Sequence, residues 1–355
     1  SNIDNTTEQD REDTELHNSA YTDRAVQTQI LNVNVANWLG GTMQITPDPT
    51  DPTTRQPGTY SVYSRYRLCL EAPNYTVFSN NSCATQWIKD HGSTDPQYVV
   101  SLESPHNAIH LANAGPILGA NSNMGDNETA GFDPAFFLHH RLVDYVFRQR
   151  QKAHDAAATG TLAIIPGFGG TVSVEGLPDI PPGTPLTVET PLYPFKRAGG
   201  GAWYTSEDVT DVGSLDPLLG EPFLGAPHTA LIASFKRTHG INHAEFPGSF
   251  VVRTFAQVAG HERVEIGRDA VLSRWGVQGC AKCRDKLDVE SLVPFDEVLL
   301  NAIRGADKSA KIEHSAEIQT HHVGGLKGIL FAGPKPIVDD LRVMACGGVL
   351  WVALR

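Results

Sequence analysis

Two short stretches of the sequence concentrate side chains that bind metal ions. The first is Glu103-Ser-Pro-His106-Asn107-Ala-Ile-His110, and the second is Phe132-Asp-Pro-Ala-Phe136-Phe-Leu-His139-His140-Arg-Leu-Val-Asp144. His106 and His110 are four apart, so on a helix their imidazoles leave one face a turn apart, as two ligands of a single ion require. On the second stretch Phe136, His140, Val143 and Phe147 share a helical face. His139 is turned away from His140 by about 100° at 3.6 residues per turn, so His140 is the expected third ligand. Asp144, one turn further on, offers a carboxylate that can orient an imidazole through its other nitrogen. A His-x-x-x-His pair alone says little in a chain with fourteen histidines; the doublet inside an aromatic run is what marks a site. Three neutral imidazoles with an open position make a Lewis-acid or redox metal centre.

Both stretches carry helix-start chemistry. Ser104 is placed to cap the first helix with Pro105 at its first position, and Asp133 with Pro134 repeats the arrangement, since the missing proline N–H costs nothing there. Residues 25–39 repeat apolar side chains near helical spacing (Ile30, Val33, Val35, Trp38) up to a Gly40-Gly41 stop. Residues 60–70 are aromatic-rich and fit either helix or strand. Proline and glycine then crowd 157–215, which forbids long helices and marks a connector. Beyond it, β-branched and aromatic runs at 229–235, 249–258, 270–275, 328–331 and 349–354 predict an antiparallel β-sandwich. The expected organisation is a polar arm over 1–24, a helical metal-binding domain over 25–156, the connector over 157–215 and the sandwich over 216–355, hence an α+β chain.

At about 150 residues per domain, 355 residues suffice for two domains. Forty acidic against twenty-eight basic residues leave a net charge of −12, which repels a phosphate backbone, so nucleic acid is excluded as a partner. No apolar run approaches the roughly 20 residues of a membrane helix, so no membrane partner is expected. Five cysteines are too few and too odd in number for a disulfide framework, which points to a reducing, cytoplasmic setting. The Asn-x-Ser/Thr matches at Asn5, Asn74, Asn80 and Asn127 are taken as chance.

The two histidine stretches resemble the copper B half of the tyrosinase, catechol oxidase and haemocyanin family. The resemblance covers roughly 26–154 and continues through Pro191-Leu-Tyr-Pro-Phe195 and Tyr204-Thr-Ser-Glu-Asp-Val209, which are similar to the connector of fungal tyrosinases. Residues 273–283, ending in Cys280-Ala-Lys-Cys283, are similar to those proteins' C-terminal domain. The resemblance implies half of the usual four-helix core, with His106, His110 and His140 as ligands. It also implies that Glu103 and Asn107 hold a water beside the metal, that Phe136 lines the pocket, and that Cys280 and Cys283 load copper or survive as a relic. The chain departs from the family at Asp144-Tyr145, where Asp-Arg is usual, and at Arg150-Gln151, where Trp-Gln is usual.

A type 3 site needs three histidines on each of two coppers, and upstream of His106 only His17 and His91 occur. One expectation is therefore a mononuclear centre, with zinc as cofactor and copper as the alternative. That is the character of the haemocyanin-like cyclopenases of fungal quinolone-alkaloid pathways. The implied substrate is a small aromatic amide undergoing non-oxidative rearrangement or elimination as a lyase, with Glu103 moving the proton and Asn107 orienting substrate or water. The alternative is a copper oxidase of o-diphenols represented by its copper B portion; a non-catalytic oxygen carrier is a third class. His239 and His243 flank Gly240 and are expected to be structural, and His321-His322 to lie in a loop. Half a bundle leaves an apolar face, which either the second domain or another subunit, as in a homodimer, would cover.

Overall fold

The computed structural model describes residues 61–91, 99–114, 123–154 except 126 and 128, 162–173, 179–210, 229–231, 234–273 except 247, 288–320 except 296, and the stretches 329–330, 337–341 and 351–353. The helix expected over 25–39, His17, Cys280, Cys283 and His321-His322 lie outside these residues. By its own contacts the chain divides into two compact units, neither continuous in sequence. One takes in Pro105–His139 and Leu231–Arg342, the other Arg65–Ser104 and His140–Ala230. The chain is a mixture of helices and antiparallel sheets, the α+β class expected.

Among the described residues, five α-helices precede the connector: α1 (Val62–Leu70), α2 (Tyr75–Ser79), α3 (Asn81–His91), α4 (Glu103–Ala114) and α5 (Pro134–Ala153). Helix α1 settles the ambiguous aromatic stretch, because Val62, Arg65, Tyr66 and Cys69 are buried at helical spacing. The side chains of Asn74 and Asn80 accept from the backbone N–H groups of Val77 and Cys83, so two of the glycosylation-like asparagines serve as caps of α2 and α3. In the second unit Phe78 lies against the ring of Phe147 (6.0 Å) and beneath the guanidinium of Arg150 (4.7 Å). Arg150 also donates to the carbonyl of Leu70 at 2.9 Å. Burial pulls its pKa down to about 10, which leaves it charged at neutral pH. Where the family usually has tryptophan, a guanidinium thus supplies both the flat contact and a hydrogen bond.

No α-helix occurs among the described residues between 162 and 210, in keeping with their proline content. They carry a hairpin of β1 (Pro191–Lys196) and β2 (Trp203–Thr205), whose intervening turn uses Gly199, Gly200 and Gly201 at φ of 93°, 78° and 110°.

The remaining strands are β3 (Thr229–Leu231), β4 (Ser234–Asn242), β5 (Phe250–Val258), β6 (Val264–Val271), β7 (Asp288–Phe295), β8 (Ile312–Thr320), β9 (Ile329–Leu330), β10 (Ile337–Leu341) and β11 (Trp351–Ala353), with α6 (Glu297–Arg304) between β7 and β8. They pair antiparallel in the orders β10-β4-β7 and β6-β5-β8-β9, and β11 pairs with β3. Strands β7, β8 and β10 carry no long apolar run, because charged residues interrupt them, as in Ile312-Glu-His-Ser-Ala-Glu-Ile318. Val293 of β7 and Ile318 of β8 point into the buried core. Ile241, Phe246, Phe250, Val252 and Ile318 form one buried cluster, and Ala256, Ile266 and Val293 another. On the opposite face of β5, Phe255 is covered by the guanidiniums of Arg253 and Arg263, which pair with Glu265 and Glu317. His239 sits on β4 and His243 in a single 3-10 turn, so the pair forms no helical metal face.

Two consequences for stability follow from this core. A Cβ on Gly267 would lie 2.5 Å from Val293 Cγ1, so Gly267→Ala should cost about 1–3 kcal/mol in urea unfolding, and Val293→Ala in the same chain should recover part of the loss. His243 is buried against Phe250 with Ser273 as its hydrogen-bond partner, and burial pushes its pKa below the ordinary imidazole range. The unfolded chain takes up a proton below about pH 6.5 while the native one does not. Stability should therefore fall as pH drops through that value and level off below the depressed native pKa, and His243→Gln should flatten that part of the profile.

Candidate metal centre

Two hydrogen bonds pin the first turn of helix α4 and a third holds the residues just before it. Arg65, 1% exposed, donates from Nη1 to Ser104 Oγ at 3.0 Å. Glu103 Oε2 accepts from the backbone N–H of Asn81 at 2.7 Å, and Ser101 donates to Asn81 Oδ1 at 2.7 Å. The helix therefore starts at Glu103, and Ser104 is not its cap: a buried guanidinium needs an acceptor and takes that hydroxyl. Pro105 sits in the first turn, where its missing N–H has no partner to lose. Helix α5 starts as its sequence predicts, at Pro134, with Asp133 Oδ1 accepting from Ala135 N–H at 2.9 Å.

These helices bring His106, His110, His139 and His140 together, each offering one nitrogen within 4.8 Å of the others. Among the described residues no other group of three or more such side chains gathers in this way. His110 Nδ1 lies 2.7 Å from the carbonyl oxygen of Met124, which can only accept, so Nδ1 carries the proton. His106 Nδ1 donates to Asn107 Oδ1 at 2.8 Å. Both Nε2 atoms then present lone pairs, and they face each other 3.2 Å apart. Burial pushes the His106 pKa below the usual imidazole value against the opposing pull of Asn107, so the ring is neutral at pH 7.

This donor set fits a metal ion. Two nitrogens 3.2 Å apart can both reach one ion at the about 2.0–2.1 Å of a metal–imidazole bond. Neutral rings with their second nitrogens already engaged are the form a ligand must take. The residues that would hold it come from the four histidines of this cluster, among them the expected His106, His110 and His140.

Asn107 is at the site, but its amide oxygen is occupied in orienting His106. Glu103 lies one turn before His106 on α4, with one oxygen committed to Asn81. Phe136 packs edge-on to His110 with centroids 6.0 Å apart. Asp144 is exposed, and no hydrogen bond joins it to a ring of the cluster among the described residues. Two of the rings are oriented instead by Asn107 and by the Met124 carbonyl. His139 was not expected here, yet it is buried among the rings, 5.1 Å from His106 and 4.9 Å from His110. The doublet was the signal for it, but a helical wheel selects one of two neighbours and leaves the other unplaced.

Residues 2–153 match the common central domain of tyrosinase. The chain is 37% identical over 331 residues to a tyrosinase from a Hahella species, covering 85% of this chain and 58% of the relative. It is 33% identical to the tyrosinase of Aspergillus oryzae, covering 82% and 58%. It thus spans under two thirds of the length of these curated relatives. Two structures of the Burkholderia thailandensis tyrosinase are similar to it, both with a TM-score of 0.64. The one at low pH has 35% identity and covers 87% of this chain and 60% of that one; the one at high pH has 31% identity and covers 94% and 68%. With that identity reaching over two thirds of a solved tyrosinase, and the central-domain match running through both ligand-bearing helices, the chain belongs to the tyrosinase family.

Proposed function

We propose that the polypeptide carrying this sequence is a copper-dependent oxidase of o-diphenols, with α4 and α5 holding the copper B ion of a type 3 pair. The observation that carries this is the convergence of neutral, pre-oriented imidazoles on one point in a chain of the tyrosinase family. The expected zinc centre and its ring-contracting lyase chemistry draw no support from the relatives, which bear the names tyrosinase and polyphenol oxidase. Copper and oxidation, the alternative, draw that support. Before His106 the sequence holds only His17 and His91, fewer than the three histidines that the other copper of such a pair needs.

Copper bound here supplies one-electron exchange with dioxygen and the substrate. The protein's own part is to hold, orient and move protons. Asn107 and the Met124 carbonyl keep the Nδ1 protons of His106 and His110 turned away from the ion, which leaves Nε2 free for it. Phe136 presents an aromatic ring beside His110, an apolar surface suited to a phenol. A phenolic hydroxyl holds its proton near pH 10 and benefits from a base. Glu103 is the carboxylate nearest in sequence to the ligands, and the oxygen not bonded to Asn81 is the one it has for that proton.

Loaded with copper, the full-length polypeptide should consume oxygen with catechol, and His140→Ala should abolish this together with copper uptake at the site. Turnover that runs equally well with zinc, or proceeds without consuming oxygen, would return the assignment to the lyase. Glutamine at position 103 can still accept from Asn81 N–H. Glu103→Gln should therefore keep the fold and the copper content, measured by elemental analysis, while lowering kcat about 10²–10⁴-fold. An unchanged kcat would leave Glu103 as a tether only.

A further inference from the structure

We infer that His139 is a positioning residue, an imidazole of α5 whose N–H holds the ligand-bearing turn of α4. The inference rests on the reading that His106, His110 and His140 hold the ion. His139 is 6% exposed, and its Nε2 lies 3.2 Å from the main-chain oxygen of His106. A carbonyl oxygen only accepts, so this nitrogen carries the proton and donates it. The bond joins residues 33 apart in sequence and on different helices, so a slip or rotation of one helix against the other breaks it.

The ring contacts set His139 against both ligand rings of α4. The His139 and His106 rings are nearly parallel, 22° apart with centroids 5.1 Å apart, whereas His110 stands at 82° to His139 at 4.9 Å. With its proton turned to the His106 oxygen, His139 Nε2 has no lone pair to give an ion. His139 presents a face to His106 and an edge contact to His110, limiting how far either ligand ring can turn. Because His140 is its chain neighbour, the bond that locates His139 on α4 also sets where His140 enters the cluster. The clamp thus registers both helices' ligands through one main-chain oxygen.

The test is copper titration of the full-length polypeptide, with stoichiometry from elemental analysis and affinity from competition with a chelator. His139→Phe keeps an aromatic ring and removes the donor; it should retain the metal count and weaken affinity about 10–100-fold, the usual effect of losing an outer-shell partner. His139→Gln places an amide N–H close to where Nε2 stands and should recover most of that affinity. Loss of a whole ion in His139→Phe, as His140→Ala should give, would make His139 a ligand and overturn the inference. Wild-type affinity in His139→Phe would overturn it too, as would failure of His139→Gln to recover affinity with an unchanged circular dichroism spectrum. If His139→Phe does not fold, His139→Gln alone decides: near-native affinity supports the clamp, and loss of the ion rejects it. Undiminished copper binding by His140→Ala would count against the ligand set itself, whatever the His139 variants do.

Discussion

Two imidazole lone pairs that face each other at 3.2 Å repel unless something positive lies between them or a proton is shared. The protein blocks ordinary relief by engaging the opposite nitrogens. The Met124 carbonyl cannot donate, so the His110 proton stays on Nδ1, and Asn107 does the same for His106. Burial disfavours taking up a second proton on His106. A cation is the partner that answers all of these conditions at once, and much of the surrounding structure maintains them.

That maintenance is carried by polar groups at helix ends. Glu103 and Ser101 on one side meet Asn81 at the start of α3 on the other, and Arg65 of α1 reaches Ser104. The bond from Asn81 N–H to Glu103 uses a donor that the start of α3 would otherwise leave bare, and the Arg65 bond satisfies a buried guanidinium, so fixing α4 also satisfies groups that needed partners. An apolar contact at the same place would hold the helix less specifically, because hydrophobic packing tolerates rotation and a hydrogen bond between defined atoms does not. The Arg150 guanidinium over Phe78 works in the same way further along α5, joining ring contact to a hydrogen bond on Leu70.

Membership of the tyrosinase family covers both the helices that carry the histidines and the antiparallel strands that follow. The strands form a core of their own, built from alternating inward residues of two sheets and closed on one outer face by arginine–glutamate pairs over Phe255. Nothing in that core offers the convergent nitrogens found on α4 and α5 among the described residues. Among the described residues the metal-binding side chains are thus concentrated on a few helical turns.

Local signals in the sequence determined a good deal. The four-residue spacing of His106 and His110, the Asp133-Pro134 start of α5, the lack of α-helix among the described connector residues and the apolar strands β5 and β9 depend on neighbours within a turn or a pleat, and such neighbours are visible in one dimension. Strands with charged outer faces were less legible, since half of each resembles a loop until a sheet is there to bury the other half. The tertiary structure alone decided the rest. Ser104 looked like a cap until Arg65, 39 residues earlier, claimed its hydroxyl. The acceptor for His110 is a main-chain carbonyl at Met124, and a carbonyl has no residue type by which to announce itself. His139 joined the cluster because α5 lies against α4 so that both neighbours of the doublet reach it, and the angle between two helices is set by packing across the interface, which no spacing within either helix encodes.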